Sequence, residues 1–366
     1  MLKSLKGFGI AAAVVAGLLG IHILVSLWSM GQFARLKPHF DGKCSRLEGI
    51  VGAEDIELDH ASGRIFVSSF DRRAHRAGQE ATGAIYHLSF DNAEAVGTDL
   101  GAQTPADFRP HGLSLYRDDE GKARLFVVSH PTDGQSVVEI FDIEDQALSY
   151  VATVPPRAAG GKDRHKELVS VNDIAAVGPG QFYFTNDSGY KSGAMRFFEY
   201  LFRTPTSTVM YYNGTRIKKV ATGLRAANGI AVDRTGNLVY VTESLGQTLQ
   251  IYKRNKDLGT LSRIATIDLD STPDNIHVDV DGNVWIGAHP KIVDLLMHNR
   301  DAANNSPSQV LKVAFGVNAE AGIEEVYLGR GAALSGSSVA VPVGNRLLIG
   351  SINEPHILIC ARNSAT

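Results

Sequence analysis

Residues Ser170–Tyr190 read SVNDIAAVGPGQFYFTNDSGY. An alternating apolar run, a Gly-Pro-Gly turn and a second run describe two short strands and their hairpin. The first strand opens on Asn172-Asp173, an amide and a carboxylate that are costly to bury without partners. The same arrangement recurs along the chain: two polar or small residues, an aliphatic residue, a turn, then an apolar strand. The copies are GAEDIELDHASGRIFVSS, RPHGLSLYRDDEGKARLFVVSH, AANGIAVDRTGNLVYVTES, TPDNIHVDVDGNVWIGAH and LSGSSVAVPVGNRLLIGS, with the opening stretch as the sixth. They align on Ile56, Leu113, Ile174, Ile230, Ile276 and Val339.

Further strand-like runs, such as GAIYHLSF, SVVEIFDI, TVMYYNG and TLQIYKR, fall between the copies. Each period therefore holds about four short strands, the signature of a propeller blade. The sequence predicts an all-β, six-bladed β-propeller over residues 36–366, preceded by a hydrophobic helix within residues 1–35. The alternative is an irregular β-sandwich. SGAMRFFEYLFR, Ser192 to Arg203, breaks the strand pattern with helical spacing of Met195, Phe198 and Phe202. Such a helix would lie over one end of the ring, covering a pocket, touching a membrane or simply packing. DVDGN, Asp279–Asn283, begins like an EF-hand loop but sits between two strands and reads as a hairpin turn.

The N-terminal run from Gly7 to Met30 carries no charge and follows Lys3 and Lys6. Phe8–Trp28 would span about 31 Å as a helix, enough for a bilayer core of ~30 Å. It is longer than a signal-peptide core and lacks a clean small-x-small cleavage site. A retained membrane anchor is expected, with the lysines inside and the propeller on the extracytoplasmic side. Net charge is −3 and no dense Lys/Arg stripe occurs, so nucleic acid is not an expected partner. The only cysteines are Cys44 and Cys360. They read either as two separate thiols or, as their placement and the export signal favour, as a disulfide joining the chain ends. The sequons at Asn186, Asn213 and Asn304 matter only in a eukaryotic secretory route.

In a propeller the innermost strands line an axial channel, so equivalent positions converge. Two residues before the aligned aliphatics stand Glu54, His111, Asn172, Asn228, Asp274 and Ser337; one before stand Asp55, Gly112, Asp173, Gly229, Asn275 and Ser338. Four carboxylates and three amides would meet with no Lys or Arg among them. Crowded buried carboxylates call for a hard cation, and an all-oxygen donor set without Cys points to calcium over zinc. Four formal charges match two such ions. The competing reading is turn capping. No G-x-S-x-G, H-E-x-x-H or C-x-x-C occurs.

These residues resemble the serum paraoxonase/arylesterase family of calcium-dependent lactonases and esterases. The motifs are GAEDIE, RPHGLS, VVSHP, VNDIAAVGP, FTND, ANGIAV, DNIHVD, WIGAHP and LLIGS, spread from about Cys44 to Cys360. The resemblance implies a six-bladed propeller with two calcium ions in its channel. It implies a catalytic calcium on Glu54, Asn172, Asn228, Asp274 and Asn275. A structural calcium would take Asp55, Asp173 and the carbonyl of Leu113. It also implies a catalytic His111–His130 pair, His111 as base and His130 orienting it, with His289 near the substrate pocket. The family's disulfide matches Cys44 and Cys360. The expected activity is hydrolysis of lactones and aryl esters. Alternatives are a sugar-lactone or organophosphate hydrolase of a related calcium propeller type, or a non-catalytic propeller with structural calcium. From about Lys191 to Met210 the chain departs from the family, so substrate preference does not carry over.

Overall fold

The computed structural model describes residues 2–91, 94–100, 103–144, 147–155, 167–316 and 321–363. Six four-stranded antiparallel sheets follow one another around a ring. In five of them the strands lie in chain order. The sixth is closed by the first strand: Gly42–Glu48 pairs with His356–Arg362, outside the strands Arg346–Ser351 and Ser337–Val343. Cys44 lies directly opposite Cys360 in this pairing, and the two form a disulfide. The chain ends therefore meet in one blade, as the placement of the cysteines predicts.

The six repeats become the innermost strands, Ala53–Leu58, Pro110–Arg117, Val171–Gly178, Ala227–Val232, Thr272–Val278 and Ser337–Val343. The aligned aliphatics Ile56, Leu113, Ile174, Ile230, Ile276 and Val339 are all buried. Six apolar clusters fill the six gaps between neighbouring blades. Phe126 and Ile140 of the second blade, for instance, meet Ile174 and Phe184 of the third, and Val339 of the sixth meets Ile56 of the first. Ring closure thus completes the last of these cores. Strands such as Ile65–Ser69 and Val284–His289 are buried along their whole length because blades cover both faces.

Each innermost strand carries a register shift at the polar pair. Such a bulge sets two residues against one and re-aims their side chains. The approach at the hub is close enough to exclude a Cβ at two positions. At Gly112 it would lie 2.3 Å from Asp173 Oδ1, and at Gly229 2.7 Å from the Asp274 carbonyl oxygen.

The helix expected at Ser192–Arg203 forms over Gly193–Phe202, with Ser192 and Arg203 flanking it. Glu199 is buried and holds it down, accepting from the Gly189 N–H at 3.1 Å and from Ser188 and Thr206. The apolar residues Phe197 and Phe198 point to solvent, 63% and 47% exposed. The N-terminal helix, Leu2–Ser29, docks its last turns on this end of the ring. His22 Nε2 lies 2.9 Å from the Leu201 carbonyl oxygen and Arg203 donates to Ser29 Oγ. Gln32 donates to Asp294 on a further helix, Ile292–Arg300. Residues Ile10–Ser29 have mean hydropathy 2.4 and are long and apolar enough to cross a bilayer. The DVDGN segment is a hairpin turn, as read: Asp279 Oδ1 accepts the N–H groups of Asp281 and Asn283.

Candidate functional site

The hub brings the expected oxygen donors together. Asn275 of the fifth blade donates from Nδ2 to Glu54 Oε1 of the first at 2.9 Å. Asp55 Oδ2 accepts the Leu113 N–H, and Asp173 Oδ2 accepts the Ile230 N–H. Glu54, Asp55, Asp173, Asp274 and Asn275 are all buried. Burial pushes the Glu54 carboxyl up to about 7; Arg72 opposes the rise, Asp274 adds to it and the Asn275 hydrogen bond opposes it. Burial, then the charges of Asp173 and Glu54, hold Asp55 well above the usual carboxylate range. Burial likewise raises Asp173, against the N–H groups of Ile230 and Ile174. Burial disfavours the charged form of all three, and only Glu54 has a cation, Arg72, acting against that rise.

Four oxygens at this point are buried and have no hydrogen-bond partner: Glu54 Oε2, Asn172 Oδ1, Asn228 Oδ1 and Asn275 Oδ1. An orphaned buried acceptor costs roughly 1–3 kcal/mol. Four of them lie on inner strands of four blades, and oxygen donors of this kind would fit a hard cation such as calcium. Amide oxygens are essential to this set. Among the described residues no group of three or more His, Cys, Asp or Glu side chains is arranged to hold a metal. Below it, Asp55, Leu113 and Asp173 line a common cavity of about 840 Å³.

His111 and His130 stand together, their rings 5.1 Å apart and inclined at 62°. His130 Nδ1 lies 3.1 Å from Ser136 Oγ. Burial and then the Arg72 charge hold both imidazoles down, His111 well below its ordinary value and His130 at about 4. Both rings are therefore neutral at pH 7. His289 is buried, with Nε2 2.9 Å from Asp274 Oδ2, so it supports a candidate ligand.

The aligned positions contain no cation, but the structure supplies one from outside them. Arg72 lies on the short helix Arg72–Arg76, after the second strand of the first blade. Its NH2 group donates to His111 Nδ1 at 2.7 Å and to the Pro110 carbonyl oxygen at 3.3 Å. A guanidinium cannot accept, so His111 Nδ1 is the acceptor and the neutral ring carries its proton on Nε2. Sequence periodicity cannot find Arg72, which sits on a short helix between strands; the only trace is the basic run DRRAHR at Asp71–Arg76.

A six-bladed propeller with an oxygen-lined hub beside a histidine pair defines the structural class. The arylesterase family model matches residues 51–361, and the chain belongs to the arylesterase family. It is a hydrolase of the lactonase/arylesterase type. It is 31% identical over 340 residues to serum paraoxonase/arylesterase 1 of Rattus norvegicus, covering 88% of this chain and 90% of that one. It is also 31% identical to serum paraoxonase/arylesterase 2 of Gallus gallus, covering 94% and 95%. Among solved structures, regucalcin of Agrobacterium tumefaciens, described as a calcium-binding protein, superposes with TM-score 0.50 at 13% identity. The match covers 90% of this chain and 98% of that one. That likeness concerns the fold.

Proposed function

We propose that the hub binds two calcium ions and that the chain hydrolyses lactones and aryl esters at the upper one. The observation that carries this reading is the set of four orphaned oxygens on Glu54, Asn172, Asn228 and Asn275. With Asp274 they would hold the upper ion; Asp55, Asp173 and the Leu113 carbonyl would hold the lower. The names of the relatives, paraoxonase/arylesterase, support the same substrate class. When bound, calcium supplies a Lewis acid that polarises the scissile carbonyl.

The protein's own groups do the rest. Asn275 fixes the Glu54 carboxylate and His289 fixes Asp274, so neither ligand must reorganise. The neutral His111–His130 pair receives the proton of the attacking water. His111 is the proton acceptor of this reading and His130 its neighbour. Because Nε2 carries the ring proton and Arg72 occupies Nδ1, His111 takes up the proton at Nδ1 by releasing the Arg72 contact. A membrane-anchored protein with its propeller on the extracytoplasmic side is consistent with Lys3 and Lys6, the apolar helix and the disulfide. Rates on simple aliphatic lactones and phenyl acetate, with calcium and with a chelator, test the function. Calcium-dependent turnover is expected, and a calcium-loaded protein inert towards a broad ester and lactone panel would refute it.

A further inference from the structure

Next to the histidine pair lies a cavity of about 300 Å³, lined by Phe70, Arg72, His75, Arg76, Arg109, Pro110, His130, Pro131 and Thr132. Three guanidiniums face it and no acidic residue lines it. His130, in its wall, meets His111 edge to face, and Arg72 touches His111 directly. Whatever fills this cavity is therefore a few ångströms from the reacting centre.

The arginines are placed, not scattered. Phe70 is buried and forms an apolar floor beneath two of them, with Arg109 Cζ 5.6 Å and Arg72 Cζ 6.0 Å from its ring. Arg109 donates to His75 Nε2 at 2.9 Å, a contact that brings no carboxylate to the guanidinium. One acidic group stands behind the wall: Asp107 pairs with Arg109 Nε at 2.9 Å and accepts from the Thr132 N–H and hydroxyl. Arg72 lies towards Glu54 and Asp274, whose charge a bound cation would take up. Arg76, on the exposed rim, is held by neutral acceptors, the Asn299 carbonyl and Asn353 Oδ1. Three guanidiniums line the cavity and no carboxylate does, since Asp107 lies behind Arg109 and Glu54 and Asp274 lie on the hub side of Arg72, so the lining itself is positive. An apolar floor and partial burial strengthen its field for a ligand inside it. Guanidinium forks match the two oxygens of a carboxylate.

We propose that this cavity receives a carboxylate carried by the substrate, so that the preferred lactones and esters are anionic at the end remote from the scissile bond. The proposal rests on the hydrolase reading for its reaction but not for its binding. It assigns Arg76 and Arg109 to specificity, with Arg72 joining the carboxylate site to the histidine pair. The volume suits a short acid arm, not a long lipid chain.

Two matched pairs test it on the full calcium-loaded chain. The first compares kcat/KM for monophenyl adipate with that for the same phenyl ester ending in an N-methylamide, after subtraction of uncatalysed hydrolysis. The second compares calorimetric binding of adipic acid monoanilide with its N-methylamide, which needs no turnover. The acid is expected to win by about 10-fold in both, with the preference shrinking in 0.5 M salt. Arg76→Gln should cut the preference several-fold and Arg76→Gln with Arg109→Gln should abolish it. Arg76 is exposed, so its single variant keeps the test valid even if the double variant misfolds. Equal or weaker binding of the acid, or a preference untouched by Arg76→Gln, overturns the proposal. Turnover of the neutral ester without acid preference defeats this inference and spares the hydrolase reading. Acid-selective binding without turnover does the reverse.

Discussion

Asp55 and Asp173, two blades apart, make the same pair of contacts. Each accepts the N–H of the next residue in its own strand, Ile56 at 2.9 Å and Ile174 at 2.7 Å. Each then accepts, with its other oxygen, the N–H of the following blade's aligned aliphatic, Leu113 or Ile230, at 2.7 Å. The two carboxylates stitch adjacent blades at the hub, whereas Glu54 and Asp274 are bound by side chains above them. The two kinds of hub carboxylate are therefore expected to fail in different ways.

Asp173→Ala leaves the N–H groups of Ile174 and Ile230 buried and unpaired. It should lower stability by roughly 3 kcal/mol. Asp274→Ala should leave the melting temperature near that of the parent while reducing lactone turnover by more than about 100-fold. Thermal melts and steady-state rates on the two purified variants check the contrast. A fully active Asp274→Ala protein would refute the site assignment.

His111→Gln removes the proton acceptor but none of the proposed ligands. Lactone hydrolysis should fall by about 10²-fold or more, with calcium affinity, measured by titration against a chelator, almost unchanged. Loss of calcium binding in this variant would place His111 among the structural groups of the hub.

Cys44→Ser should cost about 2–5 kcal/mol, because the bridge spans nearly the whole chain. Denaturant titration of the oxidised parent, the reduced parent and the variant measures this. The last two should coincide.

Asp279 gives a pH signature far from the hub's ligands. Burial alone would raise its carboxyl, but hydrogen bonds from Trp285 Nε1, at 2.8 Å, and from Asn283 and Asp281 bring it below the usual value. A depressed folded-state pKa adds stability above the unfolded value, ~3.9, and that stability is lost as pH falls through the folded one. Asp279→Asn should thus be less stable than the parent at pH 7 by roughly 1–2 kcal/mol. The gap should close below about pH 4. Melts across pH 3–7 would show a constant gap if the carboxylate played no part.

The inner strands were legible because each repeats one local conflict, a polar pair ahead of an aliphatic residue, that only convergence resolves. The helix at Gly193–Phe202 could be read to within a residue from apolar spacing alone. The disulfide could be read from placement, and the structure adds that Cys44 lies on the strand closing the last blade. Arg72, Arg76, Arg109 and His75 were not legible. They stand in or beside connections between strands, where no periodicity assigns a direction to a side chain, and only the folded ring brings them to His130. The contact of His289 with Asp274 was not legible, because it depends on the pairing of Thr272–Val278 with Val284–His289.

The seam of the ring has a consequence for biogenesis. The strand Gly42–Glu48 leaves the ribosome directly after the apolar helix, yet its partner His356–Arg362 is made only after the five intervening blades. During synthesis its backbone edge waits unpaired. Five blades can assemble in order while the sixth stays open. A chain cut short before Cys360 would then reach its compartment with a free thiol and an unsealed edge, a form that quality-control machinery can distinguish from the finished ring.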